Sequence, residues 1–200
     1  MEYLKYGEKE LSYLRDKDRQ LGEVIDRIGF LERPVTSDLF VALVESIISQ
    51  QISNKAAATV SRRFYELLGE ITPENIAKTN HFYIQKCGMS LKKASYIKIA
   101  ADAVLSGAVN FNEFANMSDQ QVIEKLIILP GVGVWTAEML MIFSLKRPDV
   151  LSFDDLVIRR AMMKLYGLKE ITREIFDVYR KRYSPYCSVA SLYLWEVAEN

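Results

Sequence analysis

The nine residues Leu129–Ala137, Leu-Pro-Gly-Val-Gly-Val-Trp-Thr-Ala, constrain the fold of this chain more than any other segment. A helical pattern runs up to Leu129, a short Pro-Gly-x-Gly turn follows, and an apolar helical stretch begins directly after it. This arrangement leaves the backbone N–H groups of Gly131, Gly133 and Val134 at a helix N-terminus, without partners inside the helix. Such a terminus can bind a phosphate without a basic side chain.

Helical periodicity extends over most of the remaining sequence. Residues Phe40, Leu43, Val44, Ile47 and Ile48 form one broad apolar face. Helix starts and stops are predicted at Thr72 before Pro73, at Ser90, at Ser118 with Gln121, at Gly167 and at Thr172. Further helices are predicted over 119–128, 134–145, 154–166 and 188–198. With no Asn-Gly hairpin and no alternating strand pattern, the sequence predicts an all-α protein of about ten short helices.

The size and composition fit either one compact domain or two helical lobes that share an active-site cleft. The chain has 200 residues, of which 50% are hydrophobic, enough to bury a sizeable core. We expect a central lobe over 37–146, which contains the helix-hairpin-helix. A second lobe is expected over 1–36 plus 147–200, and it carries the two adjacent acids Asp154 and Asp155.

The charge balance limits the ways in which this chain can bind a polyanion. Its 26 basic residues cancel its 26 acidic residues, so any binding of nucleic acid must be local. No apolar run reaches the roughly 18 to 20 residues of a membrane span, and the first residues are unlike a secretory signal. We expect a monomeric cytoplasmic protein, nucleoid-associated if bacterial or archaeal, with Cys87 and Cys187 as free thiols.

The pair Asp154-Asp155 follows Ser152-Phe153 at the predicted start of a helix. Asp154 is a good N-cap, because its side chain can accept from the N–H groups of the first turn. Asp155 would then be the first helical residue, where the positive end of the helix dipole favours its ionised form. An acidic pair that merely begins a helix is a common arrangement, so the pair alone does not define a site.

Two other motifs have a sequence pattern similar to that of the hairpin. Gly131-x-Gly133 with an acid some 20 residues later is similar to a dinucleotide-binding fingerprint. That motif needs a preceding strand and a third small residue, whereas the segment before the turn is helical and Thr136 takes the third position. A plain helix-turn-helix with a glycine turn is the other interpretation, and the Asp154-Asp155 pair makes the longer string more specific than either.

The string Leu129–Ala137 followed by Asp154-Asp155 resembles the helix-hairpin-helix DNA glycosylases. Two more segments are similar to the 3-methyladenine DNA glycosylase II branch of that superfamily: Ser46–Ser53 with Lys55–Ala57, and Cys87–Ala94. Together with Tyr193–Trp195, the resemblance extends over Phe40–Trp195, and the first 35 residues match no motif. It implies double-stranded DNA containing damaged bases as the partner and base excision repair as the process.

Two departures from other branches narrow the expected activity. Bifunctional members carry lysine two residues after the second hairpin glycine, where this chain has Trp135, and an indole has no amine for imine chemistry. The endonuclease III branch binds an iron–sulfur cluster through four clustered cysteines, which Cys187 alone cannot supply. The resemblance therefore implies a monofunctional glycosylase without a cofactor. It would flip and excise alkylated purines such as 3-methyladenine and 7-methylguanine, leaving an abasic site.

The resemblance also implies a role for individual residues. Asp155 would be the catalytic carboxylate, with Asp154 as the helix cap. The base pocket would contain Trp135 and Trp195, with Met139 one helical turn after Trp135. Contacts to the DNA backbone are expected from Gly131, Gly133, Val134, Thr136, Lys92 and Lys93, with a possible monovalent cation on the carbonyls of Leu129–Gly133. Gln51, in preference to Gln50, would fill the gap left by the flipped nucleotide.

Two alternatives remain open at the level of sequence. The same fold could act on oxidised or deaminated bases, although two indoles suit a cationic base better than a neutral one. The hairpin could also belong to a non-catalytic DNA-binding protein, which would have no need of Asp155 or of Trp135 in the lysine position.

Overall fold

The computed structural model of the protein describes residues 2–199. Two short strands are present, β1 (Glu2–Tyr3) and β2 (Pro34–Val35). The α-helices are α1 (Glu8–Lys17), α2 (Arg19–Ile28), α3 (Leu39–Ser49), α4 (Asn54–Leu68), α5 (Pro73–Lys78), α6 (His81–Lys86), α7 (Leu91–Leu105), α8 (Asp119–Leu126), α9 (Val134–Phe143), α10 (Leu156–Tyr166), α11 (Arg173–Tyr183) and α12 (Cys187–Glu199). A 3₁₀ helix, Phe111–Asn116, lies between α7 and α8.

The all-α prediction is confirmed, with one exception at the N-terminal end. Residues 2–199 form twelve α-helices instead of about ten. β1 pairs antiparallel with β2, so that Glu2 lies opposite Val35 and Tyr3 opposite Pro34. Strands of two residues are too short to show alternation in a sequence, which explains why none was predicted. None of the helices formed by residues 2–199 combines the length and the apolar character that crossing a bilayer requires.

Most predicted helix caps are present. The Thr72 hydroxyl accepts from the N–H of Asn75 at 3.1 Å, directly before Pro73 at the first helical position. Ser118 and Gln121 form the predicted capping box of α8. Gly167 ends α10 in the left-handed conformation, at φ 65°. These ends are local in origin, and local sequence was therefore sufficient to locate them.

Two helices end earlier than predicted. α8 stops at Leu126 and not at 128, because the chain tightens into a turn in which the N–H of Leu129 donates to the Leu126 carbonyl at 3.1 Å. α9 stops at Phe143 and not at 145. There Lys146 adopts the left-handed conformation at φ 56°, and the N–H of Arg147 donates to the Met141 carbonyl at 2.8 Å.

The chain divides into two compact units. One is discontinuous and consists of the residues up to Val35 together with those from Met141 onward; the other, the inserted unit, is Thr36–Leu140. The predicted boundaries were 36/37 and 146/147, so the second observed boundary lies earlier, within α9.

The discontinuous unit has a core formed by α1, α2, α10, α11 and α12. Its fully buried side chains include Leu14, Leu21, Ile25, Ile158, Met162 and Tyr193. Asp18 is also buried, and its carboxylate accepts from the N–H of Leu21 at 2.9 Å and from Arg182 at 2.7 Å. A buried charge of this kind is tolerated only when it is paired and hydrogen-bonded, so Asp18 ties the start of α2 to α11.

The inserted unit has its own core. The apolar face predicted for α3 is buried along its whole length, from Phe40 to Ile48. α3 packs against α4 and α7. Phe64 of α4, Ile76 of α5 and Ile97 of α7 also have no exposed surface. The Lys98 ammonium group donates to the carbonyls of Ile76, Ala77 and Thr79 at 2.7–3.1 Å. It thereby satisfies the free carbonyls at the C-terminal end of α5.

Candidate active site

The hairpin of the inserted unit connects α8 to α9 through residues 127–133. The N–H of Val132 donates to the Leu129 carbonyl at 3.1 Å, which closes the turn directly before α9. Among residues 2–199, the N–H groups of Gly131, Gly133 and Val134 donate no hydrogen bond. Gly133 and Val134 are exposed. The structure therefore offers unused backbone donors at a helix N-terminus, where an anion would be stabilised.

Gly131 is a glycine for a steric reason. Its φ of 86° lies in the left-handed region that L side chains rarely adopt. A Cβ atom added here would lie 2.4 Å from Cδ2 of Tyr96, on α7. Gly133, by contrast, has no heavy atom within 4 Å of the same added Cβ. The first glycine fixes the shape of the turn, and the second leaves its outer surface open.

Gln50 and Lys93 hold the hairpin against the end of α3. The Gln50 amide donates to the Gly131 carbonyl at 2.8 Å. The Lys93 ammonium group, from α7, donates to the carbonyls of Ile48 at 2.8 Å and Gln50 at 2.5 Å. Burial lowers the pKa of Lys93. The segment after α3 is thus fixed on one side by a lysine and on the other by the hairpin backbone.

Three of the residues predicted to contact the DNA backbone have different environments. Lys93 donates two of its three N–H groups to the end of α3, a structural role that was not predicted, and its contact to DNA stays a prediction. Thr136 is only 5% exposed, and its burial does not support a side-chain contact to a phosphate. Lys92 is exposed, with its ammonium group 5.7 Å from the centroid of the Tyr96 ring, and remains available to a ligand.

Gln50 and Gln51 have different environments. Gln51 is exposed and adopts the left-handed conformation at φ 57°, a strained backbone geometry for a residue that is not glycine. It lines a surface cavity of about 220 Å³ with residues from the end of α3, from α4 and from the start of α7. Gln50 is bonded to the hairpin, whereas the side chain of Gln51 is exposed.

Asp155 is the N-cap of α10. One carboxylate oxygen, Oδ1, accepts from the N–H groups of Val157 at 2.8 Å and Ile158 at 3.0 Å. Asp155 is 5% exposed, whereas Asp154 is exposed. The prediction that Asp154 caps the helix and that Asp155 is its first residue was therefore wrong by one position: the helix begins at Leu156.

The cap assignment makes a prediction about stability. We expect Asp155→Ala to lower the free energy of unfolding by about 0.5–2 kcal/mol, because the first turn of α10 loses its acceptor. Asp154→Ala should change it by less than about 0.5 kcal/mol, as for an ordinary surface substitution. Thermal melting of both variants measures the difference, and equal melting temperatures would contradict the assignment.

Trp195 fixes the second oxygen of Asp155. The indole Nε1–H of Trp195, on α12, donates to Asp155 Oδ2 at 3.2 Å. The indole also stacks on Phe143, with ring centroids 5.7 Å apart and an interplanar angle of 28°. Both carboxylate oxygens are thus held by N–H donors, and Trp195 contributes to the site through its polar edge as well as its ring.

Trp135 is the second residue of α9 and is 42% exposed. Met139 and Phe143 follow at intervals of four residues, so the three side chains share one face of the helix. Met139 is half-buried. An indole exposed to this extent at the start of a helix differs from a core tryptophan and is accessible to a planar ligand.

Comparison with known proteins shows the family of this chain. Residues 44–184 match the HhH-GPD superfamily of base excision DNA repair proteins. The chain belongs to this superfamily. The matched residues include the hairpin and Asp155, whereas Trp195 lies beyond them.

Relatives within the HhH-GPD superfamily cover most of the chain. DNA-3-methyladenine glycosylase 1 of Schizosaccharomyces pombe is 35% identical over 162 residues, which are 78% of this chain and 71% of the relative. A crystal structure of DNA-3-methyladenine glycosidase from Bacillus halodurans superposes with a TM-score of 0.88 at 36% identity, covering 99% of this chain and 93% of the other. The S. pombe 3-methyladenine DNA glycosylase in complex with abasic DNA has a TM-score of 0.81 at 31% identity, covering 96% and 97%.

Sequence reasoning missed Tyr96 and Phe143, and it missed the structural contacts of Lys93. Tyr96 packs against Gly131, and nothing in its local sequence indicates that contact. Lys93 resembles an ordinary surface cation until its carbonyl partners are known. Phe143 was detectable, because it continues the four-residue spacing of Trp135 and Met139 on α9.

Proposed function

We propose that this protein is a monofunctional DNA glycosylase that acts as a monomer on double-stranded DNA. It hydrolyses the N-glycosidic bond of alkylated purines such as 3-methyladenine and leaves an abasic site. The observation that carries this proposal is the Asp155 carboxylate, buried and held on both oxygens by N–H donors. Relatives named DNA-3-methyladenine glycosylase, one of them solved with abasic DNA, support the choice of substrate.

The carboxylate suits the charge that develops as the bond to the base breaks. The sugar acquires oxocarbenium character, and a preorganised anion beside it stabilises the transition state without reorganising. The three donors fix the direction of both oxygens before substrate arrives. In this proposal Asp155 stabilises the sugar cation or orients the water that attacks it.

The base would be bound by aromatic surface. N-alkylated purines carry positive charge, and an indole face attracts a desolvated cation with about 0.5–2 kcal/mol. Trp135 offers exposed indole surface, and we assign it, with Met139 and Trp195, to the base. Trp135 also stands in the position where bifunctional members carry lysine, so the proposed mechanism forms no imine and does not cleave the strand.

The hairpin would bind the sugar-phosphate strand. The unused N–H groups of Gly131, Gly133 and Val134 act as donors to a phosphate. The carbonyls of Leu129 and Gly131 each accept one hydrogen bond and keep a second lone pair. Each carbonyl thus keeps an acceptor for the monovalent cation that we assign to the hairpin, and such a cation would add positive charge close to the phosphate.

Release of free bases from methylated DNA tests the proposed function. Duplex DNA treated with a methylating agent is incubated with the protein, and the released bases are separated by chromatography. We expect 3-methyladenine or 7-methylguanine, intact strands until abasic sites are cleaved chemically, and no covalent adduct on borohydride reduction. Release of oxidised or deaminated bases instead would change the substrate, and an adduct would contradict the monofunctional assignment.

The two glutamines after α3 should respond differently to substitution. We expect Gln51→Ala to weaken binding to a duplex that contains an abasic analogue, at an unchanged melting temperature, because its exposed side chain fills the gap. Gln50→Ala should lower the melting temperature, because it removes the hydrogen bond to the Gly131 carbonyl. Fluorescence anisotropy and thermal melting measure the two effects, and equal behaviour of the variants would contradict the assignment.

A further inference from the structure

Two arginines of the discontinuous unit converge on the ring of Phe153, two residues before Asp155. The guanidinium carbons of Arg159 and Arg173 lie 5.0 Å and 4.9 Å from the centroid of the Phe153 ring. Phe176 of α11 packs against that ring in a T-shaped arrangement, with centroids 5.2 Å apart and an interplanar angle of 85°. Three separate segments thus combine to place two positive charges at one aromatic side chain.

Neither charge has a close partner in the part of the chain that the structure describes. Arg159 forms no ion pair with the side chains of residues 2–198, and its Nε is buried without a hydrogen-bond acceptor. Arg173 has one distant contact, 3.7 Å from Nε to the Asp177 carboxylate, with both side chains largely exposed. Such a pair contributes little in water. The neighbouring Glu174 is engaged elsewhere, since hydrogen bonds from its own N–H and from Thr172 lower its pKa.

The positions of the two arginines are unfavourable for the helices that carry them. Arg159 lies in the first turn of α10, and Arg173 is the first residue of α11. Cations are disfavoured at these positions, because the N-terminal end of the helix dipole is positive. The ring of Phe153 offsets part of this cost through cation–π attraction, but an anion would offset it directly.

We propose that Arg159 and Arg173 form a second phosphate-binding site, which contacts the DNA strand on the side of Asp155. Guanidinium groups bind phosphate oxygens through paired N–H donors, and the stacked ring holds both groups in place before DNA arrives. The site uses none of the hairpin amides, and the identity of its ligand rests on the proposed function. The Phe153 ring supports both guanidinium groups. This role explains why a large aromatic residue precedes Asp154 and Asp155.

The salt dependence of DNA binding tests this site. We expect the double variant Arg159→Gln/Arg173→Gln to bind an abasic-analogue duplex more weakly than the wild type. The slope of log K against log salt should fall by about 0.9 for each phosphate that the variant no longer neutralises. Arg19→Gln is a matched control, because Arg19 is also the first residue of its helix and pairs with an acid four residues on, Glu23 at 3.1 Å. It should leave both affinity and slope unchanged.

The outcomes separate this site from the proposed activity. If the folded double variant shows an unchanged slope of log K against log salt, the proposed phosphate site is contradicted, even if the wild type releases alkylated bases. A reduced slope in a protein that releases no base would support the site and refute the activity. If the double variant does not fold, Arg173→Gln alone is measured, since that side chain is 63% exposed. Stabilisation of the wild type by inorganic phosphate, with no change in DNA binding on substitution, would indicate a site for free phosphate and contradict the DNA contact.

Discussion

Asp155→Asn is expected to reduce the rate of base release by at least about a hundredfold while leaving DNA binding nearly unchanged. Asparagine keeps a side-chain oxygen that can accept from the N–H groups of Val157 and Ile158, so α10 stays capped. It carries no negative charge, and the developing sugar cation then loses its stabilising partner. Single-turnover release from methylated DNA measures the rate, and anisotropy with an abasic-analogue duplex measures binding.

Asp154→Asn is the matched control for this experiment. The substitution is chemically the same, one residue away, at an exposed position that neither caps α10 nor contacts Trp195. Its rate should stay within about twofold of the wild type, as expected for a surface substitution away from the chemistry. Equal losses in the two variants would assign the effect to local charge, and retained activity in Asp155→Asn would overturn its catalytic role.

Gly131→Ala should be the most destabilising single change in the hairpin. The added methyl group would overlap the Tyr96 ring, at 2.4 Å from Cδ2, and alanine would have to adopt a φ of 86°. Overpacking and a left-handed backbone each cost about 1–3 kcal/mol. We expect a combined loss of about 2–6 kcal/mol, which lowers the melting temperature by roughly 4–24 °C in a chain of this size.

Gly133→Ala serves as the control for Gly131→Ala. Its added methyl group would have no neighbour within 4 Å, so the melting temperature should stay within about 2 °C of the wild type. Differential scanning calorimetry of both variants gives the comparison. A stable Gly131→Ala protein would show that the turn can move away from Tyr96 and that its shape is not fixed by the first glycine.

The sequence was sufficient for features that are determined locally. The caps at Thr72 and Ser118 and the glycine end of α10 were predicted, because each depends on residues within one helical turn. The hairpin was predicted for the same reason. The side chains that hold the hairpin and the end of α3 were not predicted to do so. Gln50 bonds Gly131 across 81 residues, and Lys93 bonds Ile48 across 45. Such contacts follow from packing and leave no pattern in the local sequence.

The error at the two acids has a definite physical origin. Aspartate is a good N-cap at either position, so the local sequence gives equal support to Asp154 and Asp155. In the structure, Asp155 differs from Asp154 in that its carboxylate also accepts from the indole N–H of Trp195. This donor lies 40 residues further along the chain. The Asp155 carboxylate therefore both caps α10 and carries the proposed catalysis. The sequence predicted its catalytic role but not its capping role.

The discontinuous unit has a consequence for how the chain acquires its structure during synthesis. Its helices α1 and α2 emerge from the ribosome before the whole of the inserted unit, while the helices they pack against, α10–α12, emerge after it. At 5–20 residues per second, translation from Met141 to Asn200 takes about 3–12 s. During that interval the inserted unit can complete its core. The apolar faces of α1 and α2 cannot yet pack against α10–α12, because these helices have not been synthesised. Asp155 and Trp195 both belong to this later segment, so the hydrogen bond between them can form only after the inserted unit has been synthesised.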